Sequence, residues 1–224
     1  MRFLLLIPLL LATGTLRADE ALSLSALNPD PRVDHLSIGI HIKAPGFGEL
    51  VLELPQIVPE ADGPWENPIR ARLVSDAATL TVPYPCGATF RYALEKEGTL
   101  VCTYAGMPAT ARGLWFPMMI PVVPFRDGGR YAFNASPGSE TVLKPFPREP
   151  GGKFIETRQP GPFLLVTPAG ARLSLAAPSE TQGLTDFRSA SWAAFSWTFS
   201  YLLAPHPGSG TFTLHIASTP APAP

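Results

Sequence analysis

Trp65 stands in Asp62-Gly63-Pro64-Trp65-Glu66-Asn67, an aromatic ring flanked by turn residues and by side chains that hydrogen-bond hydroxyl groups. An indole displayed at a surface stacks on the apolar face of a pyranose, while neighbours such as Glu66 and Asn67 bond its hydroxyls. A second ring, Trp192, closes Thr185-Asp186-Phe187-Arg188-Ser189-Ala190-Ser191-Trp192, a loop that also carries an acid and a base. Trp65, Glu66, Asn67, Asp186, Arg188 and Trp192 therefore form the candidate ligand-binding set. Plainer tasks also fit: Trp65 could pin its loop, and Asp186 could pair with Arg188, worth at most about 1 kcal/mol on an exposed surface.

Catalysis needs more than these residues offer. No Gly-x-Ser-x-Gly elbow is present, which argues against a serine hydrolase. Glycoside hydrolysis needs two carboxyl groups about 5 to 10 Å apart; Glu53, Glu60, Asp62 and Glu66 supply carboxylates with no spacing that ranks them. A polysaccharide lyase could use Arg91, Tyr92 and Tyr104, which fall on one expected hairpin. Asn134-Ala135-Ser136 fits a glycosylation acceptor, a pattern common by chance.

Metal chemistry has little support. His35, Ser37, His41 and Lys43 share one face of an alternating run, but three two-residue steps separate the imidazoles by roughly 20 Å, too far for one ion. His41 would meet His215 only if the first and last strands were neighbours. The six Cys and His residues lack the close spacing of a zinc site, and Asp30 and Asp34 are too sparse for calcium. No metal is expected and no cofactor is assigned. Cys86 and Cys102 form an even pair, which in an oxidising compartment predicts a disulfide worth about 3 kcal/mol.

That compartment is inferred from the amino terminus. Arg2 precedes an apolar run, Phe3 to Ala12, with no acidic residue before Asp19. About ten apolar residues are too few for a bilayer span, which needs roughly twenty, and Leu16-Arg17-Ala18 suits cleavage. Residues 1–18 are therefore expected to be a signal peptide, and the protein secreted or periplasmic. Loss of Arg2 and Arg17 takes the net charge from −1 to −3, with the remaining basic residues scattered; that excludes a basic nucleic-acid surface.

What positions the candidate residues is a set of strands. Leu36, Ile38, Ile40 and Ile42 alternate with polar residues, as do Leu50, Leu52 and Leu54, and Phe212, Leu214 and Ile216. Hairpins are predicted from Thr89 to Leu94 with Thr99 to Tyr104, and from Phe163 to Val166 with Arg172 to Leu175. Further strands are expected at Ile69 to Val74, Ala78 to Val82, Gly113 to Ile120, Arg130 to Phe133, Glu140 to Leu143, Lys153 to Thr157 and Ala193 to Leu203. In the last of these Phe195, Trp197, Phe199, Tyr201 and Leu203 share one face, most simply a core. The 27 prolines and 19 glycines leave no long helix. The expected fold is all-β: one large two-sheet antiparallel β-sandwich, jelly-roll-like, of about a dozen strands over residues 19–217, followed by a Pro/Ala-rich tail, 218–224.

The aromatic strand, the proline-rich loops, the leader and the Pro-Ala tail together resemble the accessory β-sandwich modules that accompany bacterial polysaccharide-degrading enzymes. The resemblance implies a non-catalytic module that binds a polysaccharide or oligosaccharide. Two other classes stand beside it: a secreted glycan lyase or hydrolase on the same fold, and an envelope module using an apolar patch or sheet edge to bind a protein partner. A deep cleft of converging acids would favour the enzyme, and a shallow groove with exposed tryptophan the binding module.

Overall fold

Leucine, aromatic and β-branched side chains alternate with small polar ones along this chain, and prolines and glycines cut each run short, so the backbone is set up for short strands. The computed structural model describes residues 23–26, 39–59, 63–68, 74–75, 79–95, 98–135, 142–150, 154–179, 181–190, 193–203 and 208–222. In chain order the strands are β1 (Ser23–Ala26), β2 (Gly39–Ala44), β3 (Gly48–Glu53), β4 (Gln56–Pro59), β5 (Val74–Ser75), β6 (Thr79–Pro83), β7 (Thr89–Leu94), β8 (Thr99–Ala105), β9 (Ala111–Pro121), β10 (Arg130–Phe133), β11 (Lys144–Pro145), β12 (Phe154–Gln159), β13 (Phe163–Val166), β14 (Arg172–Ala176), β15 (Gln182–Asp186), β16 (Ala194–Leu202) and β17 (Gly210–Thr219).

Two antiparallel sheets result. The first runs β1-β2-β3-β9-β16-β15-β12, with β4 also paired to β9; the second runs β11-β10-β13-β14-β17-β8-β7-β6-β5. Their inner faces meet in one core. Phe116 of the first sheet stacks on Phe199 at 4.8 Å and meets Phe212 of the second edge-on at 5.2 Å. Trp197 stacks against Phe163 across the sheets at 6.0 Å. Phe195, Trp197 and Phe199 are fully buried on β16, as their shared face predicts, and each contributes about 2 kcal/mol. The fold is thus the expected β-sandwich, with seventeen strands among the described residues in place of about a dozen.

Two irregularities shape the outer face of the first sheet. Pro55 has no N–H to donate, so β3 and β4 lie end to end beside β9, Leu52 pairing with Met118 and Gln56 with Trp115. On the far side, β12 carries two bulges against β15, between Phe154 and Glu156 and between Glu156 and Gln159. Glu156 accepts the Tyr131 hydroxyl at 3.1 Å and pairs with Lys144, so this bulged strand is clipped to the second sheet.

Several expectations need correction. Cys86 and Cys102 are free thiols. Cys102 pairs across the ladder with Tyr92, whereas Cys86 sits in the turn beyond Thr89, itself three residues or about 10 Å from Tyr92; a disulfide needs Cα atoms within about 7 Å. The final strand also extends past residue 217: Ser218 pairs with Leu173 and Thr219 with Arg172. Beyond it Ala221 packs on the core and Pro222 lies over Gly170. The leader, Asp30, Asp34, His35, Asp62, Trp192, and the expected strand at Ile69 to Val74 apart from Val74 itself, lie outside the described residues. Among the described residues no helix is long and apolar enough to cross a membrane.

Candidate functional site

Strand β9 turns Leu114, Phe116, Met118 and Ile120 into the core, so alternation sends Trp115 to the outer face of the first sheet. Its ladder partners there are Gln56 on one side and Ser200 on the other. Ile57 and Glu66 exchange backbone hydrogen bonds of 3.0 and 3.1 Å, which brings residues 63–68 alongside β4. Trp65 consequently stands 6.1 Å from Trp115 at an interplanar angle of 66° and remains 47% exposed. Asn67 accepts the Gln56 amide at 2.9 Å. Glu66 faces the other way, its Oε2 accepting the Cys86 N–H at 3.0 Å.

Beyond Ser200 the same face opens into a pocket of about 140 Å³ lined by Ser200, Thr198, Gly183, Thr181, Thr157 and Arg158, with Phe154 also in its wall. Phe154 is 75% exposed. Three features of the sequence build this pocket. Gly183 pairs with Thr198, and a Cβ on it would lie 3.1 Å from the Thr198 hydroxyl oxygen, so glycine keeps the floor clear. The second bulge of β12 sets both Thr157 and Arg158 opposite Gly183. Arg158 adopts a left-handed backbone, φ 53°, which re-aims its side chain.

Gln182 lies beside the pocket yet is buried. Its amide oxygen accepts the Trp197 indole N–H at 2.8 Å, and its amide nitrogen has no hydrogen-bond partner among the described residues.

Asp186 and Arg188 are committed elsewhere. Arg188 holds the Asp186 carboxylate through Nε at 2.9 Å and Nη2 at 2.7 Å, and the carboxylate also accepts the Arg188 N–H at 2.9 Å. The same guanidinium donates to the carbonyls of Pro147 at 2.6 Å and Glu149 at 3.3 Å and lies 5.2 Å from the centroid of Phe195. The Asp186 side chain is 2% exposed and that of Arg188 19%. This arrangement is a clamp: the Asp186 carboxylate is buried and the Arg188 donors are engaged by it and by two carbonyls, so the pair stands apart from the face that carries Trp65 and Trp115.

His41 is 8% exposed rather than on a solvated face and bonds Glu49 through Nδ1; burial pulls its imidazole below the ordinary value. His215, on β17 of the other sheet, faces Thr99 at 3.4 Å, so the two histidines share no site. Tyr92 and Tyr104 point into the core while Arg91 points out, which separates the residues a lyase would need to converge. Burial raises the Tyr92 hydroxyl well above its usual range. No group of three or more His, Cys, Asp or Glu side chains placed to hold a metal occurs among the described residues.

No protein-family model and no curated protein matches the chain. Among solved structures it is similar to a family GH92 inverting mannosidase from Bacteroides thetaiotaomicron, at a TM-score of 0.39 and 11% identity over 84% of this chain. The chain spans 25% of that enzyme's length.

Of the residues that the sequence singled out, Trp65 and Asn67 reach this face and Glu66 does not, while Trp115, Thr157, Arg158, Thr181, Thr198 and Ser200 were missed. The signal for Trp115 lay in its parity within Gly113 to Ile120, hidden because Pro117 and Met119 make the outer face of that run apolar too. Together the two indoles, the hydroxyl groups and one guanidinium can stack on a ring and exchange hydrogen bonds with several hydroxyls at once.

Proposed function

We propose that this chain is an exported, non-catalytic carbohydrate-binding β-sandwich and that it binds glycan on the outer face of the first sheet. One observation carries the reading: the pairing of Ser200 with Trp115 joins the Trp65 and Trp115 rings to the hydroxyl-lined pocket on a single face. A sugar chain laid across the strands would stack on indole at one end and bond threonine and serine hydroxyls at the other. Such a mixture of ring faces and placed polar groups is what a polyhydroxylated, weakly amphipathic ligand requires. The pocket is open, and among the described residues its lining carries no carboxylate that could act as acid or nucleophile.

The test is retention of the purified protein on a panel of soluble and insoluble polysaccharides, followed together with release of reducing or unsaturated ends. Retention without release is expected. Trp115→Ala should weaken it at least tenfold, since stacking of a ring on an aromatic platform and its buried area are lost together. Trp65→Ala should weaken it less, because Trp65 touches the ligand from the rim. Retention unchanged in both variants moves the site off this face, and product release replaces the binding reading with an enzyme.

A further inference from the structure

Among the described residues the pocket of the first sheet holds one charged side chain, and it is a cation. Arg158 stands among Thr157, Thr181, Thr198 and Ser200, and among the described residues no carboxylate lines that pocket. Among the described residues none forms an ion pair with it. Its position is costly to maintain: a left-handed φ of 53° is disfavoured in a residue with a Cβ, a strain that glycine would avoid. The extra residue in β12 that sets this conformation also turns Thr157 and Arg158 together toward the cleared floor at Gly183. Backbone strain held beside a pocket is a recurrent mark of a binding position.

We infer that this pocket takes an acidic sugar residue, one bearing a carboxylate or a sulfate, and that Arg158 is the group that reads its charge. The inference rests on the carbohydrate reading above and adds the ligand's class to it. A guanidinium offers five donors and no acceptor, in a fork that matches a planar oxyanion in two parallel hydrogen bonds. The four surrounding hydroxyls donate and accept, which suits the neutral hydroxyls of the same sugar. With a formal net charge of −1 for the whole chain, attraction to a polyanion would come from this one position and not from an overall positive field.

The test compares binding of the purified protein to polygalacturonate and dextran sulfate with binding to their uncharged counterparts, galactan and dextran, by affinity electrophoresis at low and moderate salt. One acidic polymer is expected to bind at least tenfold more tightly than its neutral counterpart, and which one does so identifies the anion. Arg158→Gly, whose residue suits the left-handed φ and so preserves the fold, should abolish that preference while leaving the residual affinity for neutral polymer. Arg158→Lys should keep part of the attraction at low salt and lose it at moderate salt, because a point charge replaces the fork. Equal binding of acidic and neutral polymers, or a preference that survives Arg158→Gly, overturns this inference and leaves the carbohydrate reading standing. Failure to bind any polysaccharide removes both.

Discussion

Replacing Arg188 by methionine removes the charge that balances Asp186 while keeping most of the aliphatic volume. Asp186, at 2% side-chain exposure, would lose the guanidinium that holds its carboxylate away from water, and breaking a buried pair by removing one member typically costs 3 to 5 kcal/mol, so about 4 kcal/mol is expected. The carbonyls of Pro147 and Glu149 lose a donor as well, but they lie in an exposed segment where water can replace it. In a domain of this size each 1 kcal/mol moves the melting temperature by about 2 to 4 °C, so the fall should be roughly 8 to 16 °C. Thermal unfolding followed by circular dichroism and calorimetry at pH 7 reads it. The double variant Asp186→Asn with Arg188→Met strands no charge and should melt above Arg188→Met alone, a non-additivity that a merely local loss of contacts does not produce. A melting temperature within about 2 °C of the wild type, together with lost polysaccharide retention, would refute the clamp and return Arg188 to the binding surface.

Three further outcomes are expected. Alkylation of the unfolded, unreduced protein should add two equivalents per chain by mass spectrometry. In the native protein Cys86 should react before Cys102, whose thiol is buried and raised far above its ordinary value by that burial; no addition after unfolding would mean a disulfide. Gly161→Ala should destabilise by about 1 to 3 kcal/mol in urea unfolding, because a methyl there meets the Gln182 amide that anchors Trp197. Gly208→Ala, with nothing within 4 Å of the new carbon, should change stability by less than about 0.5 kcal/mol, and the reverse order would contradict the contact. Expressed in a host with a secretory pathway, the exported protein should begin at Asp19 by intact mass, whereas exported material that retains Met1 would exclude cleavage there.

Period-two alternation made the sandwich readable wherever one face is apolar and the other polar. The hairpin of Thr89 to Leu94 with Thr99 onward and that of Phe163 to Val166 with Arg172 onward fall where alternation and turn residues place them. Strand β15 escaped because two of its three inward positions are polar: the Gln182 amide oxygen accepts the Trp197 indole N–H, and Asp186 is held by Arg188, contacts that alternation does not announce. Strand β4, Gln56 to Pro59, is short and enclosed by prolines, so it resembles a loop. The site was hidden for a related reason. Its lining comes from β12, β15 and β16, and only register brings Thr157, Gly183 and Thr198 to one place.

The irregular ladder of β12 has one more consequence. Among the described residues this strand ends the first sheet, and a straight terminal strand would offer its free row of N–H and C=O groups to a strand of another molecule. Two extra residues throw that row out of step, which is how many sheets avoid joining end to end into fibres. Removing the extra residue between Glu156 and Gln159 would therefore do more than blunt a pocket; it would bring that row closer to an even ladder and leave the protein more prone to self-association.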